Sequence, residues 1–187
     1  MAAGYVQTTT TTTTGESVEL TFWSADTGNP LTALAVNAGV GMAYNASATF
    51  TPAAASHVAG DANGAAAEFA FGALSASRIM ITSASLEIDG ATAEATAWRL
   101  ALFSVTPPSA VADDGAFVLP SGDRASFLGF VPLGTAADEV DTQWVETHGI
   151  NKQIKLAGTS VFAYLLNLTT LTPANVAHIV TLHAVGL

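Results

Sequence analysis

The chain has no cysteine, so a disulfide framework, thiolate catalysis and a thiolate zinc site are all excluded. Bases are scarce: five Lys and Arg stand against fifteen Asp and Glu, for a formal charge of −10 and a pI near 4.4. Without a cation excess there is no drive toward phosphate backbones, and docking on anionic membranes is disfavoured. The only lysines are Lys152 and Lys155, and no Walker lysine exists. Both are expected on an exposed strand face. Long apolar runs are also missing. The longest, residues 161–168, falls far short of the ~18 residues of a membrane helix. Residues 1–6 have neither a basic nor an apolar signal region, so no secretory signal is expected at this terminus.

What is present is a chain of 187 residues and 18.9 kDa, 50% hydrophobic but only 8% aromatic and 11% charged. That length suits one domain, or one domain plus an arm. Residues 1–17 stand apart, because positions 8–14 are seven consecutive threonines. They have no periodic apolar face. They read as a flexible leader or as an extended arm that adds a strand to a neighbouring chain. Residues 18–187 read as a single domain.

From Val18 onward the pattern is β. Val18, Leu20 and Phe22 alternate with polar or outward residues. A weaker strand is expected over 44–50, and a short helix over 63–69 stays open. Residues 78–88 place Ile79 and Ile81 on one parity but Leu86 and Ile88 on the other, which calls for a β-bulge near 83–85. Residues 95–105 put Trp98, Leu100 and Leu102 in phase, with Phe103 and Val105 out of phase, before Pro107 and Pro108 stop the run. Residues 126–133 are apolar on both faces and read as a central strand. Residues 140–147 and 150–156 flank His148 and Gly149, which read as a hairpin turn. Residues 161–168 are apolar on both faces, and 176–185 close the chain. Eight to ten short strands at such spacing imply an all-β antiparallel sandwich or barrel.

Reactive constellations are sparse. No G-x-S-x-G elbow occurs. His178 and His183 lie five apart on one strand, so they face opposite sides and cannot share a metal ion. They are expected as one core-edge and one surface histidine. Asp113, Asp114 and Gly115 could offer oxygens to calcium, but turn formation explains them better. Glu87 and Asp89 flank Ile88 on one solvated face. Trp23, Trp98 and Trp144 could form a sugar platform, or serve as core and interface anchors. No enzymatic activity, cofactor or metal is expected.

Four segments carry a family resemblance: WRLALFSVTPP at 98–108, ADDGAF at 112–117, DRASFLGF at 123–130 and VFAYL at 161–165. Across residues 77–187 the chain resembles small jelly-roll-like proteins that decorate or cement the capsids of tailed bacteriophages. The resemblance implies a jelly-roll-like β-sandwich with an extended N-terminal arm. It implies a place on the outer capsid surface of a virion made in a bacterial cytoplasm. The implied partners are the major capsid protein and further copies in a homotrimer, with neither nucleic acid nor membrane. Tyr5, Val6, Thr10, Thr12, Trp23 and Trp144 are the expected capsid or subunit contacts. The apolar strand at 161–168 and the surplus apolar surface also favour self-association. The competing reading is a receptor- or glycan-binding sandwich of the tail or fibre, with Trp23 and Trp144 exposed together on one face.

Overall fold

A computed structural model describes residues 20–23, 30–33, 42–72, 74 and 77–187, with side chains from Met42 onward. Residues 1–17, including Tyr5, Val6, Thr10 and Thr12, lie outside this set, as does the side chain of Trp23. Among the described residues every regular element is a strand. They are β1 (Leu20–Trp23), β2 (Pro30–Ala33), β3 (Ala43–Phe50), β4 (Ala67–Ala70), β5 (Arg78–Ile88) and β6 (Ala97–Phe103). Then follow β7 (Phe127–Thr135), β8 (Ala137–Asp138), β9 (Gln143–Lys155), β10 (Ser160–Asn167) and β11 (His178–Gly186).

β1 and β2 form an antiparallel pair, in which Trp23 stands opposite Pro30. The rest form two antiparallel sheets, one in the order β3-β11-β5-β9-β8 and one in the order β4-β10-β6-β7. The inner faces pack into one core, as in a β-sandwich. Phe50, Ile79, Ile81, Leu86, Ile88, Val180 and Leu182 come from the first sheet. Phe69, Trp98, Leu100, Leu102, Val131, Leu133, Val161 and Leu165 come from the second. Period-2 alternation produces this: β11 alternates buried and half-buried along its whole length.

The parity change inside β5 is resolved by a bulge, one residue earlier than expected. His183 pairs with Ser83 and Ala184 with Ile81, so Thr82 is the extra residue. Ile79, Ile81, Ala84, Leu86 and Ile88 then all face the core.

Three expectations need correction. There is no hairpin at His148–Gly149. β9 runs straight through, and residues 149–151 loop out opposite Thr82. Gly149 does take positive φ (71°), with Asn151 at 50°, but they serve an irregular three-residue bulge rather than a chain reversal. The bulge also resets parity, so Lys152 stands opposite inward-facing Ile81 and is half-buried, whereas Lys155 is exposed. Residues 126–133 do not form a central strand. β7 is the edge of its sheet. Pro132, which cannot donate to a ladder on its nitrogen, sits on that edge, and Gly129 and Gly134 take positive φ at two register shifts. Residues 67–70 form β4, where a helix was open.

β10 lies between β4 and β6 and is buried on both faces, as its apolar run implies. Both faces are covered within the chain. Val161, Ala163 and Leu165 enter the main core, while Tyr164 and Leu166 join a second cluster with Ala62, Ala101 and Phe103. The apolarity of β10 therefore gives no support to self-association.

Candidate functional site: the open face of the five-stranded sheet

The second cluster covers the outer face of the four-stranded sheet. Phe117 and Leu119, from the connection between β6 and β7, pack over Phe103 and Tyr164. Phe103 meets Phe117, Phe127 and Tyr164 at ring-centroid distances of 6.3, 5.3 and 6.1 Å. The Tyr164 hydroxyl accepts from the Val111 amide (3.0 Å) and donates to the Ser109 carbonyl (3.3 Å), which fastens the connection.

No described segment forms such a cover over the five-stranded sheet. Its outward positions align in rows across the strands. One row is Asn45, His183, Ser83 and His148. The next is Ser47, Thr181, Ser85 and Glu146, and a third is Thr49, Ile179, Glu87 and Trp144. The Ser47 and Thr181 hydroxyls are 2.8 Å apart, and His183 Nδ1 lies 2.9 Å from Asn45 Oδ1. Ser85 is buried although it faces outward, because its cross-strand neighbours, Thr181 and Glu146, carry longer side chains. The three rows of this face are therefore mainly polar, with Glu87 and Glu146 as their only acids.

Charge gathers at its ends. Arg78 and Lys155 stand directly opposite each other at one end. Glu87 and Glu146 lie toward the other, beside Trp144. Among the described residues no Lys or Arg lies within ion-pair distance of an acid, since every such pair involves histidine. Arg99 instead lies 4.1 Å over the Phe130 ring.

Trp144 is 44% exposed on this face. Trp98 is fully buried in the core, where it meets His178 edge-on at 5.3 Å. A platform of all three tryptophans is thereby ruled out. The chain neighbour of Trp144, Gln143, turns to the opposite face and joins a buried polar knot. Gln143 Nε2 donates to the Thr92 carbonyl (2.7 Å), and its Oε1 accepts from the Glu94 amide (2.7 Å). Glu94 Oε1 accepts from the Ala174 amide (2.9 Å), and Oε2 meets His178 Nε2 at 2.9 Å. His178 Nδ1 donates to the Val176 carbonyl at 3.1 Å. Sequence reasoning missed Glu94, which sits among alanines and threonines with no motif around it.

His178 and His183 do fall on opposite faces, one fully buried and one half-buried. Asp113 acts as a tie between loops. Its oxygens accept from the amides of Gly64 (2.6 Å) and Ala53 (2.7 Å), and Asp114 takes a φ of 62° in the adjoining turn. Among the described residues no cluster of three His, Asp or Glu is placed to hold a metal ion. A comparison with known proteins finds no matching family model and no matching curated sequence.

Proposed function

We propose that this chain is a structural virion protein that binds the outer surface of a bacteriophage capsid and stabilises it, as a decoration or cement protein. In this reading the sandwich is jelly-roll-like, residues 1–17 are an extended arm, and the major capsid protein is the partner. The observation that carries the reading is the open face. Its rows are mainly polar, with serine and threonine at five positions and two acids, and it carries an exposed indole, Trp144, at its end. Such a face suits contact by shape with a large surface better than it suits enclosure of a small molecule. Aromatic residues are favoured as anchors at such contacts. A protein that binds only the assembled shell stabilises it by RT ln(1 + [L]/Kd), so many modest contacts add up over a particle.

The test compares particles with and without the protein during heating. The reading requires shells lacking it to open at lower temperature, and Trp144→Ala to lower occupancy without unfolding the free protein. Particles that never contain the protein would overturn the reading. A second reading, a receptor- or glycan-binding module of the tail or fibre, draws on the same exposed indole, which can stack on a sugar ring. Loss of host adsorption with unchanged shell stability would favour it.

A further inference from the structure

Four strands end the two main sheets, and three of them are guarded. β8 has two residues and includes Asp138. β4 has four and carries the exposed Glu68. β7 holds Pro132 and is bent by two register shifts. Short length, charge, proline and bulges are the devices that stop one sheet edge from pairing with another.

β3 has none of them. It is eight residues long and pairs with β11 without a register shift. It contains no proline and no charged residue, and residues 27–60 contain no Asp, Glu, Lys or Arg at all. No described strand lies along its other side. The Gly186 amide donates to the Met42 carbonyl, and that pair sets the phase of the ladder. Met42, Tyr44, Ala46, Ala48 and Phe50 therefore direct their backbone groups to β11. Ala43, Asn45, Ser47 and Thr49 direct theirs away from β11, to the side where no described strand lies.

We infer that this edge pairs with β3 of a second copy, antiparallel about a twofold axis at Ala46, joining two five-stranded sheets into one. In that register Asn45 faces Ser47 of the second copy, and Ala43 faces its Thr49. Outward-directed amides then meet outward-directed carbonyls throughout. The facing side chains are small and neutral, so a strongly acidic chain meets its copy where it carries no charge. An isologous contact of this kind closes on itself and leaves no further β3 edge exposed. It is also a different association from the threefold one that the resemblance implies, and it does not depend on the capsid reading.

The register gives a specific test with the full chain. Sedimentation equilibrium at micromolar concentration should find twice the 18.9 kDa chain mass. N45K/S47K sets like charges face to face twice and should weaken association by roughly tenfold or more. N45K/S47E sets Lys opposite Glu at both places and should restore the dimer. Circular dichroism and thermal melts check that each variant folds. A monomeric or trimeric wild-type chain overturns the inference, as does a dimer indifferent to N45K/S47K. Equal weakening by both variants also overturns it, because Asn45 and Ser47 of the two copies then do not face each other.

Discussion

The outer face of the four-stranded sheet carries Ala101, Phe103, Tyr164 and Leu166, and the connection between β6 and β7 folds back to cover them. The equivalent positions on the five-stranded sheet are mainly serine, threonine, asparagine and histidine, with Ile179, Val185 and Met80 among them and Arg78, Lys155, Glu87, Glu146 and Trp144 toward the ends, and no such cover lies there among the described residues. Both sheets bury their inner faces in the same core. What separates them is the residue type at the alternate positions. Aromatic rings there demand burial, and a long connection satisfies them. Hydroxyls satisfy one another across strands and can stay in water. Among the described residues this is the sheet left without a cover, and β3, with no described strand on its outer side, is one of its edges.

The largest expected effect comes from the polar knot that the open sheet shares with the loops at its end. Glu94→Ala leaves buried His178 and the Ala174 amide without their acceptor, and should cost about 3–5 kcal/mol of folding stability, measured by urea unfolding. A loss below ~1 kcal/mol would mean that the knot is hydrated and does not hold the loops of residues 92–94 and 174–176 to the sheet. Phe103→Ala comes next. It removes the centre of the covering cluster and should cost about 3–4 kcal/mol. Hydrogen exchange should then rise in residues 104–126 well before it rises in β5 or β11. Uniform exchange would instead mean that the cover and the core unfold as one unit.

Tyr164→Phe keeps the ring and deletes two hydrogen bonds to the connection, so about 1 kcal/mol should be lost. Amide exchange at Val111 should report it directly. The smallest effect on stability belongs to the open sheet. Trp144→Ala should change folding stability by no more than about 0.5 kcal/mol, yet should impair binding to the partner surface. A large stability loss would make Trp144 a packing residue and remove it as a contact anchor.

The alternation in β5 and β6 was legible because burying one face of a strand leaves a period of two in the sequence, whereas β3 and β11 were read as strands without an assigned inward face. The split between His178 and His183 followed from the same rule. The sequence also indicated that β5 must bulge, since two isoleucines and the later Leu86 and Ile88 could not otherwise share a face. Other features failed for identifiable reasons. An apolar run reads alike whether its second face is covered by loops of its own chain, as in β10, or by a partner. β7 was misread because Phe127 and Phe130 made it apolar on both sides, although Pro132 already marked an edge. Gly149 announced positive φ correctly, but positive φ serves a turn and a bulge equally well. Glu94 carried no signal, since its partners, His178 and Ala174, lie about eighty residues away.

By itself, then, the sequence determined the all-β character of the described residues, which residues point inward along β5 and β6, and that thiol chemistry is impossible. These are local or compositional properties, set by side-chain alternation and by what the chain does not contain. The tertiary structure decided the strand order, which apolar faces were spent on the chain's own loops, and which face carries Trp144 with no cover among the described residues. Those outcomes depend on pairings between segments far apart in the chain. No local pattern encodes them, because the same apolar or neutral strand is stable against any neighbour that satisfies its backbone and covers its side chains.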